Sequence, residues 1–197
     1  MTTPGLPSFE TERLILRPLA ESDAAALHLC LGDPEAMRFW DSPAEPSVAG
    51  TTARLRRSLK ASRIRHAVWA LVLRNGGEVI GMVNYHRREP AHRKLEIGYI
   101  LAPSHWGHGL MVEAVGVFLA HCFGKLGTHR IEALIEPSNH ASIRVVERLG
   151  FTPEIGLMRD RLLVAGEFRS LALFALLAPD WSSAQARPAA RARKRLR

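Results

Sequence analysis

Covalent and metal scaffolding is what this sequence has least of. Its 197 residues include two cysteines, Cys30 and Cys122, and thiols so far apart in the chain supply neither a disulfide framework nor a thiolate metal site. His105 and His108 stand close together, but no cysteine or carboxylate cluster completes a tetrahedral set with them, so no metal is expected. No run approaches the ~18 apolar residues of a membrane span. The opening MTTPGLPSFETER lacks the basic-then-apolar order of a secretion signal. These absences predict a soluble, cytoplasmic protein without membrane contact. There is no internal repeat either.

Residues 186–197 (ARPAARARKRLR) hold no acid and no aromatic ring, yet carry six of the 27 basic residues. They account for most of the formal net charge of +8, because the rest of the chain sets 21 basic residues against 19 acidic ones. A basic body face would suggest a polyanion groove; a basic tail suggests an accessory tether or a solvated terminus. Nothing in it packs or stacks, so residues 182–197 are read as a disordered tail, with ribosome or RNA contact as the role open to it.

The whole chain is 47% hydrophobic and 23% charged, enough for one domain with a real core. Residues 12–18 (ERLILRP) alternate Leu14 and Leu16 with charged neighbours, as a half-buried strand does. Ser22 or Asp23 is placed to cap a short helix, and residues 48–63 carry Val48, Leu55 and Leu59 at helical spacing. Residues 67–73 (AVWALVL) and 78–85 (EVIGMVNY) flank Arg74-Asn75-Gly76-Gly77, an Asn-Gly hairpin turn. Residues 95–101 (LEIGYIL) form a further strand before Pro103. A helix over 110–123, a strand over 130–135, a helix over 139–149 stopped by Gly150, and a strand over 168–177 complete the body. Antiparallel strands followed by strand–helix alternation predict a single α/β (α+β) domain with a mixed, mostly antiparallel sheet flanked by helices.

The stretch HWGHGLMVEA, residues 105–114, places Gly107 and Gly109 between a strand and a helix. Glycines let the main chain approach a bulky ligand and turn its N–H groups inward, and a helix N-terminus adds about half a positive charge. That combination suits a phosphate. A Walker loop would need Gly-Lys-Ser/Thr, which is absent, and a dinucleotide fingerprint would need Gly or Ala at Val112.

The segments EIGYILAPSHWGHGLMVEA and HRIEALIEPSNHASIRVVERLGF together resemble the general-control-related N-acetyltransferase (GNAT) superfamily. With the opening FETERLILRPLAESDAAAL and the closing EFRSLALFALLAPDW, the likeness is to its RimJ/RimL branch, the ribosomal-protein N-terminal acetyltransferases. It spans residues 9–181, leaving 1–8 as an N-terminal extension. The resemblance implies acetyl-CoA as cosubstrate, with the sheet splayed open where it binds. It places the pyrophosphate on Trp106, Gly107, His108, Gly109, Leu110 and Met111, where Trp106 replaces the usual Gln/Arg and Met111 the usual Gly/Ala. It places pantetheine beside Ile100 and Leu101 and on Asn139, with a main-chain N–H serving the developing oxyanion.

Two catalytic groups are then sought. Glu96, on the strand leading to the acetyl group and sharing a face with Gly98 and Ile100, is the candidate base, with Glu113 as its rival. The tyrosine that many relatives use as the acid falls here on Val146, and Ser142, on the helical face of Asn139, is the substitute. Asn139, Ser142 and Ser138 can equally be read as capping residues. His121 and His129 are read as solvent or core residues, Trp40 and Trp69 as core or pocket wall. The expected function is transfer of acetyl to a primary amine, such as a protein α-amine, by direct attack in a ternary complex. No His or acid partners either cysteine in sequence, so no acetyl-enzyme is expected. The alternatives are a non-catalytic CoA-binding sensor and a ribosome- or RNA-associated protein; a homodimer is compatible with each.

Overall fold

The computed structural model describes residues 5–61 and 63–185; the basic segment 186–197 lies outside them. Eight strands form one sheet: β1 (Phe9–Glu10), β2 (Leu14–Pro18), β3 (Ala67–Leu73), β4 (Val79–Glu89), β5 (Lys94–Leu101), β6 (Arg130–Ile135), β7 (Thr152–Val164) and β8 (Glu167–Leu177). Their spatial order is β1-β2-β3-β4-β5-β6-β8-β7, and β5–β6 is the parallel pair in an otherwise antiparallel sheet. The helices are α1 (Ala24–Leu31), α2 (Val48–Lys60), α3 (Leu110–Gly124), α4 (His140–Arg148) and α5 (Ala178–Gln185). None of them is long and apolar enough to cross a membrane.

Strand alternation divides the core in two. On one face Leu14, Leu16, Trp69, Leu95 and Ile97 pack against α3 and Val146 of α4. On the other, Val68, Ala70, Met82 and Ile100 pack against Leu27 and Leu31 of α1 and Leu55 of α2. The sheet is therefore covered on both sides at its centre, and both layers converge on β5.

Several expectations need correction. No side chain caps α1: Asp23 is taken by Arg17 (2.6 and 2.8 Å) and by the Ala20 N–H (2.9 Å), which holds a 3₁₀ turn ahead of the helix. In α2, Val48 and Leu59 are exposed and Leu55 carries the packing, so the helix stops at Lys60 rather than 63. The 13-residue strand β7 was not expected at all. Its register against β8 shifts three times and Asp160 has φ near +50°, so bulges break the two-residue period that would announce a strand.

Candidate active site

The β5–β6 ladder runs for three residue pairs, Lys94 with Arg130, Leu95 with Ile131 and Glu96 with Glu132, and then ends. Beyond it the strands diverge. On its other side β5 stays paired with β4 as far as Leu101 with Gly81. Ala102 donates to Ile80 (2.8 Å), and the Ile100 carbonyl crowds the space a Cβ on Gly81 would need. Antiparallel alternation then turns the main chain of Ile100 toward β4 and that of Tyr99 and Leu101 into the gap. Ile100 contributes its side chain instead. The Leu101 carbonyl accepts from the Trp106 indole N–H at 2.7 Å, which ties the strand end to the glycine loop.

Gly107 and Gly109 adopt φ of +81° and +74°, left-handed conformations that suit glycine. A Cβ on Gly107 would meet nothing within 4 Å, so backbone conformation rather than crowding selects glycine there. The first hydrogen bond of α3 runs from the Glu113 N–H to the Gly109 carbonyl (3.2 Å). The N–H groups of Gly109, Leu110, Met111 and Val112 thus precede the helical ladder and carry the positive end of its dipole. The side chains of Leu110 and Met111 are buried in the core, leaving main chain alone to face the loop. Arg13 braces this turn from outside, donating to the His108 carbonyl (2.9 Å) and pairing with Glu113 (2.6 Å). That pair gives Glu113 a structural role. Burial raises its carboxyl, but hydrogen bonds from Thr11 and Arg13 outweigh burial and hold it below the usual range.

Loop and splay open into one cavity of about 1,090 Å³. That is slightly above the usual range of small-molecule sites (about 300–1,000 Å³). Glu96, Ile100, Leu101, Trp106, Gly107, Gly109, Leu110, Met111, Asn139 and Ser142 all line it; the exposed His108 does not. Trp40 lines the cavity, whereas Trp69 is fully buried in the core. Neither cysteine lines the cavity, and burial pushes both thiols up, Cys30 to about 12.

Glu96 is clamped at both oxygens. Oε1 lies 2.9 Å from His86 Nε2 and Oε2 accepts from Arg87 Nη1 at 2.8 Å. Burial alone would raise its carboxyl; His86 and Arg87 overcome that and keep it below the usual carboxylate range. His66 is held by Ser58 (2.7 Å), and burial, with His86 nearby, lowers its imidazole. On the other side of the sheet the hydroxyls of Ser142 and Tyr99 are 2.7 Å apart. Burial pushes Tyr99 up to about 12, so its phenol stays protonated. Asn139 caps α4 by accepting from the Ser142 N–H (3.1 Å). The Ser142 hydroxyl is therefore not the cap, and Val146 is fully buried.

His86, Arg87 and Tyr99 were missed by sequence reasoning. Tyr99 was readable in part, as the sole hydroxyl in the strand LEIGYIL, but its partner lies 43 residues away.

Residues 13–152 match the family model described as Acetyltransferase (GNAT) domain. The chain is 31% identical over 176 residues to p20 of Bacillus licheniformis, an uncharacterized N-acetyltransferase, covering 87% of this chain and 97% of that one. It is 26% identical over 156 residues to the spermidine N(1)-acetyltransferase of Escherichia coli, covering 79% and 81%. Among solved structures, a GCN5-related N-acetyltransferase from Brucella melitensis superimposes with a TM-score of 0.81 at 26% identity, covering 91% of this chain and 82% of that one. A splayed mixed sheet, a glycine turn at the mouth of the splay and this match agree: the chain belongs to the GNAT family of acetyltransferases and is an acyltransferase.

Proposed function

We propose that this acyltransferase passes an acetyl group from acetyl-CoA to a primary amine by direct attack in a ternary complex. One observation carries the reading: the β5–β6 gap opens at one end on the free N–H groups of the Gly107–Gly109 turn and at the other on Glu96. Acetyl-CoA supplies an activated acyl thioester; everything else is asked of this chain. The N–H groups of the turn and the first turn of α3 receive the pyrophosphate. Asn139, whose Oδ1 is spent on the cap, offers its amide N–H groups to pantetheine. The main-chain N–H groups of Tyr99 and Leu101 face the place where negative charge grows on the acetyl oxygen.

A protonated amine is no nucleophile, so a proton must leave it. We assign that task to the Glu96–His86 pair, in which the ionised carboxylate orients the ring and stabilises any charge the ring gains. Ser142 donates to the departing sulfur. With the Tyr99 O–H donating to Ser142 Oγ, the serine proton is free to point into the cavity. The buried, high-lying thiols of Cys30 and Cys122 take no part, which favours direct attack over an acetyl-enzyme. The acceptor is a primary amine; the RimJ/RimL likeness proposes a protein α-amine, and one relative is named for spermidine. The test is thiol release from acetyl-CoA across a panel of amines, peptides and ribosomal proteins. Acetyl-CoA turnover with any of them supports the reading, and a protein that does not bind acetyl-CoA, or binds it and acetylates none of them, overturns it.

A further inference from the structure

The charges that line the cavity do not balance. Its four carboxylates all have cations: Glu96 has His86 and Arg87, Asp41 has Arg54 at 3.8 Å, Glu136 has Arg169 at 3.0 Å, and Glu35 has Arg38 at 3.9 Å. Four of the guanidiniums lining it, Arg57, Arg144, Arg148 and Arg161, are exposed to water and have no carboxylate within 4 Å among the described residues. Arg144 and Arg148 lie one turn apart on α4, the helix that carries Asn139 and Ser142, where the anionic cosubstrate is proposed to lie. Arg57, from the last turn of α2, and Arg161, from β7, belong to other elements. Arg161 also lines a hollow of about 290 Å³ together with Arg87 and Glu96, so it flanks the clamp itself.

A second observation lies beside it. Asn84 lines the same cavity, and its Oδ1 atom is buried with no hydrogen-bond partner among the described residues. It leans over Gly98, where a Cβ would sit only 2.6 Å from it; the sheet keeps a glycine there and the amide occupies the room. A buried carbonyl oxygen without an N–H is an acceptor left unsatisfied. The cavity wall thus holds an acceptor without a donor and guanidiniums without an anion. A polyamine satisfies the first and meets uncompensated guanidinium at the second.

Resting on the amine-acetyltransferase reading above, we propose that the acceptor is a small amine that carries its own carboxylate. Asn84 turns its amide oxygen into the cavity to receive the amine N–H, and Arg161 receives the carboxylate through the paired N–H groups that suit a guanidinium to a planar anion. The apolar part of the wall, Trp40, Leu55, Val68 and Met82, then faces the carbon skeleton.

The experiment compares kcat/KM for phenylalanine and methionine with that for their carboxamides, for spermidine, and for a peptide with a neutral first residue. At least a tenfold preference for the carboxylates is expected, reduced to threefold or less in Arg161→Gln. The Arg161→Lys variant, which keeps the charge without the fork, retains an intermediate preference. Equal or better turnover of carboxamides or spermidine, a preference for the peptide, or a carboxylate preference that survives Arg161→Gln would each overturn the proposal while leaving acetyl transfer to amines intact. Acetyl-CoA binding measured by calorimetry on the same samples separates the two failures. If acetyl-CoA does not bind, or no amine at all is acetylated, both readings fall.

Discussion

At the scale of single residues, Glu96 and Ser142 carry most of what can be tested. The Glu96 carboxyl is lower in the folded protein than the usual carboxylate value of about 4.3. The sign follows: its contribution to stability is present above the unfolded value and is lost as pH falls through the folded one. The melting temperatures of wild type and Glu96→Gln should therefore converge as pH drops from 6 toward 3; a gap that stays constant with pH would show that the clamp contributes nothing through ionisation. At neutral pH the same substitution should lower kcat about 10²-fold or more with little change in acetyl-CoA affinity, read by steady-state kinetics beside calorimetry. Ser142→Ala makes a different case. Because Asn139 holds the cap through the Ser142 main chain, the variant keeps its helix start and loses a hydrogen bond worth about 1 kcal/mol. Its kcat should fall toward the low end of the usual 10²–10⁴-fold range, since a thiolate leaves readily, while KM for acetyl-CoA barely moves. A lowered melting temperature with unchanged kcat would reduce Ser142 to a packing partner of Tyr99.

At the scale of elements, the turn before α3 is the most exacting piece. Gly109 sits at φ +74°, with Arg13 just outside it. Gly109→Glu adds strain of about 1–2 kcal/mol and sets a negative charge among N–H groups proposed for phosphate. Acetyl-CoA affinity should fall at least tenfold, about 1.4 kcal/mol, with the far-UV spectrum unchanged; unaltered affinity by calorimetry would move the pyrophosphate elsewhere. This turn was legible because its signals are local: glycines, a preceding strand and an apolar helix within ten residues. The α4 cap was legible for the same reason. The strand β7 was not, because its bulges move apolar residues off alternation, and Ile155, Leu157 and Leu163 end up exposed.

Across the whole molecule, Arg169 joins parts that the chain keeps far apart. From β8 it donates to the Arg38 carbonyl in the loop between α1 and α2 (2.5 Å) and to Glu136 beyond β6 (3.0 Å). Cutting this tie with Arg169→Met should raise the acceptor KM several-fold and leave acetyl-CoA affinity unchanged, because the glycine turn proposed for the pyrophosphate is braced independently by Arg13. Equal effects on both substrates would argue instead for general loosening of the sheet. Among the described residues, those lining the cavity fall between Leu19 and Leu171. A chain ending at residue 185 should accordingly acetylate a small amine within twofold of full length; loss of activity on truncation would bring the basic tail into the site.

The sequence by itself determined what short-range physics can encode. Alternation in LEIGYIL put Glu96, Gly98 and Ile100 on one face, Asn-Gly closed a hairpin, Asn139 began a helix, and two glycines marked the turn before α3. Each of these depends on neighbours within a few positions. Tertiary structure decided which of those groups are free to act. Only folding brought His86 and Arg87 onto both oxygens of Glu96, Tyr99 onto Ser142, Arg13 onto Glu113 across 100 residues, and Arg169 onto Arg38 across 131. The reason is that the protonation state and reach of a side chain follow from burial and from partners supplied by other strands and helices, and no local pattern in the chain records who those partners are.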